Sequence, residues 1–138
     1  MNYFTVDILT PSKIVAKDIP AESLLVPTVK GQINVLAHHT HIVSKLETGL
    51  ISVFGGADDA DRFFTVSTGV CKVLDNKITI LAGTSEEKAE IDQVRAEEAL
   101  KNAEDVLNTQ ALTDEEYQKW QRKKERAQLR IQLSQYKG

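Results

Sequence analysis

The sequence predicts an α+β chain in two parts: an N-terminal antiparallel β-sandwich, or flattened barrel, and a C-terminal antiparallel αα-hairpin. Three observations carry this. Up to about residue 84, apolar residues alternate or come in short runs broken by turn residues about every 6–12 positions, the pattern of short strands. Beyond it they recur every three or four positions, and glycine is absent until Gly138, the pattern of helices. Charge is also divided. Residues 1–85 hold 7 basic and 8 acidic side chains, residues 86–116 hold 3 and 11, and residues 117–138 hold 7 and 1. Two helices of opposite sign favour lying antiparallel, although exposed pairs are individually weak. The expected division is a β module over residues 1–84 and a helical arm over residues 85–138.

A chain of 138 residues suffices for one ordinary domain, or a small domain with an appendage. Hydrophobic content of 41% and charged content of 27% fit a globular protein, and no apolar run reaches the ~20 residues that cross a bilayer. Met1 to Phe4 runs straight into a strand pattern, so no cleaved leader is expected. The single cysteine, Cys71, has no internal partner and lies in an apolar strand pattern. It reads as a buried, inert thiol in a reducing, cytoplasmic setting.

The strands follow in order. Phe4, Val6 and Ile8 alternate with Tyr3, Thr5 and Asp7, a half-buried strand broken at Pro11-Ser12. Lys13–Lys17 and Ser23–Val26 are short strands ended near Asp18–Pro20 and at Pro27. Gly31 marks a turn before Gln32–Leu36. Ile42–Leu46 and Leu50–Phe54 flank Glu47-Thr48-Gly49. Arg62–Ser67, Val70–Leu74 and Lys77–Leu81 complete the set. Asp75-Asn76 between the last two suits a tight hairpin, since both residue types tolerate φ > 0.

The arm begins after Gly83. Thr84 and Glu87 form a possible capping box, and Asp92 is a second candidate cap further on. Ile91, Ala96, Ala99, Leu100, Ala103, Val106 and Leu107 mark one thin, alanine-rich face. After a break at Asn108–Leu112, Thr113 and Glu116 form another capping box. Tyr117, Trp120, Ala127 and Ile131 then recur at helical spacing, beside a second stripe of Leu129, Leu133 and Tyr136. With few large apolar residues, the helices must lean on each other, on the β module or on a partner. An arm held so lightly has access to more than one resting place.

No catalytic constellation is present: there is no nucleophile elbow and no glycine-rich phosphate loop after a strand. His38-His39-Thr40-His41 draws attention as a metal site, but it lacks the spacing of a structural zinc pattern and reads better as a polar loop. The basic run Lys119, Arg122, Lys123, Lys124, Arg126 and Arg130 reads better as a partner for the acidic helix than as a nucleic-acid surface. Arg122, Arg126 and Arg130 stand at i, i+4 and i+8 and so line one helix face. Such a row could take a triphosphate or a carboxylate-rich protein surface.

Several blocks taken together resemble the ε subunit of F-type ATP synthase, the bacterial counterpart of the mitochondrial δ subunit. They are the opening YFTVDILTPSKIV, the segment Lys30–Val53, the segment Phe64–Ala82, and Ile91-Asp92-Gln93-Val94-Arg95-Ala96 at the handover to the arm. The resemblance runs over essentially the whole chain. It implies a non-catalytic β-sandwich subunit of the central stalk, seated on the γ subunit and the c-subunit ring and turning with them during ATP synthesis by proton transport. The setting implied is peripheral, on the cytoplasmic face of the bacterial inner membrane.

The resemblance also implies two states of the arm. Folded down, it packs on the β module. Extended, it reaches the α and β subunits of the catalytic head and blocks ATP hydrolysis. No cofactor is required, and ATP enters as a regulatory ligand of the folded arm, bound without hydrolysis. Glu86, Ile91, Asp92, Arg95, Ala96, Arg126 and Arg130 match the residues that hold it. Lys30, Gln32 and His39 match the ring-facing positions. The chain departs from the family pattern at Asn102, where a further basic residue is common, and at Gln32, where an acidic one is. His38 and His41 stand in place of glycine and proline. The alternative readings are a free-standing nucleotide-sensing module and, less favoured, a nucleic-acid binder; the partners implied include no nucleic acid.

Overall fold

The computed structural model describes residues 3–36 and 41–136. The described chain forms ten strands and two α-helices: β1 (Phe4–Leu9), β2 (Ile14–Ala21), β3 (Ser23–Thr28), β4 (Gly31–Leu36), β5 (Ile42–Leu46), β6 (Gly49–Phe54), β7 (Arg62–Val66), β8 (Gly69–Leu74), β9 (Lys77–Ala82), β10 (Ser85–Glu87), α1 (Gln93–Thr109) and α2 (Asp114–Gln135). It divides into two units, residues 1–88 and residues 89–138.

In the first unit the strands follow the path β10-β7-β6-β3-β5-β8-β9-β1-β2, with β4 on the other edge of β3. The path has two halves joined at β3, which pairs β6 through Ser23–Leu25 and reaches β5 only at Thr28–Leu46. Pro27 sits at that changeover. Its missing N–H would face the gap between β6 and β5, where no ladder bond is required, and its carbonyl accepts from Glu47 N at 3.0 Å. This is why β3 runs through Pro27 to Thr28 and does not stop at Val26. Because β10, at one end of the path, approaches β2, at the other, the sheets form a nearly closed barrel.

The core is built by alternation. Phe4, Val6 and Ile8 of β1, Leu24 and Val26 of β3, Ile51 and Val53 of β6, Phe64 and Val66 of β7, and Ile78 and Ile80 of β9 are all buried. Full burial of such a side chain contributes about 1.5–3 kcal/mol. In the arm unit the buried residues are Ala96, Ala103 and Val106 of α1 and Ala127 and Leu133 of α2. Three of these five are alanines, which bring little apolar area, so the β module carries the larger share of hydrophobic stabilisation.

Three features depart from the sequence reading. First, β1 and β9 pair in parallel, whereas the other strand pairs are antiparallel. No hairpin links them, so no turn fixes their mutual direction. Second, β2 continues past Asp18, which takes φ 52 at a bulge opposite the register shift between Val6 and Ile8. Third, Ser85–Glu87 is a strand on β7, not the first turn of a helix. The Thr84–Glu87 capping box is therefore not formed, and the unit boundary falls after Lys88 instead of after Thr84.

The first arm helix, α1, starts where the second candidate cap placed it. Asp92 is the N-cap of α1, its side chain accepting from Arg95 N at 3.2 Å. The Thr113 and Glu116 capping box of α2 is present in both directions. Gln110–Thr113 separate the two helices, which pack on one another as an αα-hairpin. Tyr117 is 51% exposed despite its place on the apolar stripe. The Asp75-Asn76 turn is as read, with φ 49 and 60.

Candidate functional site

The motif Ile91–Ala96 is first of all a helix start. Asp92 closes the first turn of α1, and its carbonyl accepts from Ala96 N at 3.0 Å. Ala96 is 2% exposed, so a larger side chain there would push against its surroundings. Arg95, between them, is exposed. In α2, Arg126 is exposed and Arg130 half-buried, on either side of Ala127, which is 1% exposed.

Ala96 and Ala127 are equally far from the helix ends at Thr109 and Asp114, so they lie level on the hairpin. An α-helix rises ~1.5 Å and turns ~100° per residue. Arg95, Arg126 and Arg130 are thus within about 5 Å of that level along the axis. Direction matters as well. With the two buried alanines as facing positions, one step back along each of two antiparallel helices swings to the same side of the pair. Arg95 and Arg126 each stand one step back, and Arg130, three steps on, returns to nearly the same side as Arg126. The hairpin can therefore present three guanidiniums on one flank, and guanidinium forks match phosphate oxygens.

The remaining candidates of this group divide between the units. Ile91 and Asp92 precede α1 in the arm unit. Glu86 belongs to β10, where its N–H donates to Thr65 Oγ1 at 3.0 Å. Two shallow depressions on the arm are lined by Glu97, Leu100, Lys101, Glu104, Asp105 and Asn108, and by Glu115, Glu116, Gln118, Lys119 and Arg122. Neither contains Arg95, Arg126 or Arg130.

The ring-facing candidates lie on the β3–β4 hairpin. Lys30 is at its tip beside Val29, which is 56% exposed. Thr28 Oγ1 holds the turn, accepting from Lys30 N at 3.2 Å and donating to Gly31 O at 2.5 Å. Gly31 takes φ 109, a conformation that favours glycine. Gln32 is exposed at the start of β4. The chain leaves β4 at Leu36, ~17 Å along the strand from Gly31. His39 and His38 lie outside the described residues. His41 is described, and its Nε2 stands 3.2 Å from Asp75 Oδ1. Among the described residues no group of three His, Cys, Asp or Glu side chains is placed to hold a metal ion. Cys71 is 1% exposed, and burial pushes its thiol up to about 11, so it is no nucleophile.

The sequence reading missed the group that ends the β module. Arg62 Nε donates to Glu87 Oε2 at 2.7 Å and Arg62 Nη2 to Glu87 Oε1 at 2.6 Å. The guanidinium lies 5.6 Å from the Phe64 ring centre, and Lys88 Nζ lies 5.9 Å from that of Phe63. Local pattern held no signal for this pair, since its members are 25 residues apart and meet only through the β7–β10 register.

Comparison with known proteins bears on both units. The sequence model of a family described as "ATP synthase, Delta/Epsilon chain, beta-sandwich domain" matches residues 3–88, the whole described β unit. The ATP synthase epsilon chain of Koribacter versatilis is 37% identical over 106 residues, covering 77% of this chain and 72% of that one. That of Macrococcus caseolyticus is 28% identical and aligns over 99% of this chain and 100% of its own. Two solved structures share the fold. A chain of the Euglena gracilis mitochondrial ATP synthase (OSCP/F1/c-ring) has a TM-score of 0.66 at 18% identity, covering 94% of this chain and 75% of that one. A chain of the Tetrahymena thermophila mitochondrial ATP synthase central stalk/c-ring has a TM-score of 0.60 at 19% identity, covering 94% and 95%.

Proposed function

Since the chain belongs to the delta/epsilon-chain family of ATP synthase subunits, we propose that it is a non-catalytic subunit of the central stalk of an F-type enzyme. The β module is its fixed base, seated on the γ subunit and the c-subunit ring. The ring is met by the β3–β4 hairpin, with Lys30 and Gln32 near its tip and His39 beyond β4. The helical arm is the movable part. Extended, it contacts the α and β subunits of the catalytic head and restrains ATP hydrolysis. The assembly lies on the cytoplasmic face of the bacterial inner membrane, and this subunit is peripheral to it; no helix among the described residues is long and apolar enough to cross.

What supports the movable arm is the unequal build of the two units. The β unit has a core of large side chains, whereas α1 and α2 bury three alanines, one valine and one leucine. An element with so little packing of its own shifts between resting places at small cost. What supports ATP as the ligand of the folded arm is the position of Arg95, Arg126 and Arg130 level with the Ala96–Ala127 pair. Arginines from two helices serve one phosphate chain only while the helices are paired. ATP then favours the folded arm by its differential affinity for that state. Ile91, Asp92 and Ala96 shape the site's helical edge, with Asp92 as helix cap or as acceptor for the base or ribose.

Removal of residues 89–138 from the assembled enzyme tests the reading. The shortened subunit is expected to keep a stoichiometric complex with γ and to raise ATP hydrolysis. Unchanged hydrolysis would refute an inhibitory arm, and loss of γ from an intact β module would refute the stalk assignment. A free-standing nucleotide sensor would bind ATP without any γ complex.

A further inference from the structure

We propose that the β3–β4 hairpin engages the c-subunit ring through the Lys30 ammonium, and that the ring subunits meet it with a carboxylate. The proposal deepens the ring contact given above and rests on it, adding the sign of the charge on the partner's side.

The hairpin is almost free of charge. From Ser23 to Leu36, Lys30 is the only charged residue. It is exposed at the tip, next to Val29, which is 56% exposed. Among the described residues no ion pair holds its ammonium. Gln32 is exposed as well, but its amide both donates and accepts and so selects no sign. Two further charged residues bond the hairpin through their backbone. The Lys45 carbonyl accepts from Val29 N at 3.4 Å, and Glu47 N donates to Pro27 O at 3.0 Å. Both are exposed, and two cations against one carboxylate leave the tip positive.

The tip is also fastened from both sides. Thr28 is 8% exposed, and its Oγ1 accepts from Lys30 N at 3.2 Å and donates to Gly31 O at 2.5 Å. The bonds of Val29 and Pro27 brace the turn against β5 and the residue after it. Gly31 closes it at φ 109. A turn held in this way loses little freedom on binding, and the ordering cost that remains is that of the lysine stem.

A lone cation beside an exposed valine sets the partner's chemistry. An ammonium is a compact charge with three donors and no acceptor. Exposed ion pairs contribute little, but an apolar neighbour that covers the pair keeps water out and strengthens it. The complement is a carboxylate with an apolar residue beside it. Anionic lipid headgroups fit less well, since attraction to a membrane surface takes a cluster of about 4–8 basic residues and this hairpin has one. A subunit peripheral to the membrane meets the ring only on the water-exposed connections between its membrane-crossing segments, and the carboxylate belongs there. The departure at Gln32 agrees with this sign: a hairpin without an acidic residue has no carboxylate for a basic partner.

Cross-linking in the assembled enzyme tests the proposal. Gln32→Cys carries a photoreactive cross-linker, and Cys71 is buried and does not compete. A cross-link to the c subunit is expected. Lys30→Glu should lower its yield about threefold or more, because like charges then face each other, and Lys30→Arg should leave it nearly unchanged. Replacing one acidic residue of the ring's exposed connection by lysine should restore the yield with Lys30→Glu and lower it with Lys30 intact. A residue that only shapes the turn would not show that reciprocity.

The failures separate. No cross-link to the ring, with γ still bound, removes the ring contact itself and the proposal with it. A yield that ignores Lys30→Glu, or a loss that no ring substitution restores, overturns the carboxylate and leaves the stalk reading intact. So does a ring subunit whose exposed connection holds no Asp or Glu. A yield that follows the anionic-lipid content of the membrane, and not the ring substitution, assigns Lys30 to headgroups and overturns the proposal as well.

Discussion

Lys77 Nζ lies 3.1 Å from Asp7 Oδ1 and also bonds the Asp18 carboxylate, so one ammonium on β9 ties β1 to the bulge of β2. Asp18 N–H donates to Asp7 Oδ1 at 2.8 Å and completes the triangle. The arrangement fastens the parallel β1–β9 pair, which no turn connects, at the point where β2 departs from regular pairing.

This triangle predicts how the β module responds to pH. Burial works against the Asp7 charge, but the Asp18 N–H and Lys77 outweigh it and hold the carboxyl below its ordinary value. Its contribution is therefore present above the unfolded value of ~3.9 and is lost as pH falls through the lower folded value. The hydrogen bonds that Lys77 donates to Asp18 and then to Asp7 raise its pKa, so its contribution is present below ~10.4 and is lost as pH rises through the folded value. In urea unfolding across pH, Asp7→Asn should lose less stability than the parent between pH 5 and 2 (about these limits). Parallel acid limbs would show that the triangle does not set the response.

Gly69 faces the carbonyl of Leu81 too closely for any side chain. A Cβ there would overlap that oxygen and sit 2.8 Å from Ala82 Cα, and both are backbone atoms that cannot rotate away. Gly69→Ala should cost about 3 kcal/mol or more, or prevent folding of the β module. Gly31→Ala meets open space and fails only on its φ of 109, so its cost should be nearer ~1 kcal/mol. Thermal unfolding of the two variants checks the order, and a milder loss at Gly69 would contradict the packing seen between β8 and β9.

Overfilling the hairpin should separate the helices without harming the base. Ala127 is 1% exposed at the level of Ala96, so Ala127→Leu is expected to destabilise the arm by about 1–3 kcal/mol. The readout is loss of helical circular dichroism at lower temperature, with the β signal unchanged. Simultaneous loss of both signals would mean that the two units unfold as one.

The arginine flank makes a quantitative prediction for nucleotide binding. A charge-assisted bond contributes about 1.5–3 kcal/mol, so Arg126→Ala or Arg95→Ala should weaken ATP binding by roughly tenfold or more. Arg122→Ala, one turn nearer the connection, should change it little. Calorimetry on the isolated subunit decides the matter. Absence of any ATP heat up to about millimolar concentration in the parent would remove ATP sensing from the proposal.

Much of the fold could be read directly. Phe4, Val6 and Ile8 form the buried face that alternation assigned to them, and Asp75-Asn76 makes its tight turn, because both depend on residues adjacent in sequence. The start of the arm could not be chosen the same way. Thr84-Ser85-Glu86-Glu87 and Thr113-Asp114-Glu115-Glu116 carry the same capping pattern, yet only the second caps a helix. β7 lies within reach of the first and offers it a sheet edge. At the candidate site, residue types and spacing marked Arg126 and Arg130 as one face, whereas the level of Arg95 beside them follows from the length of the connection and the two buried alanines.

By itself the sequence determined the two-part architecture, the alternating core, the cap of the second helix and the family, since each is written in local periodicity or in a run of residues at fixed spacing. Only the tertiary structure decided where the β module ends, that β1 and β9 run parallel, and that Arg62 closes on Glu87. Those outcomes depend on which distant segments meet, and pairing between remote strands is chosen by the packing of the whole barrel and not by any short stretch of chain.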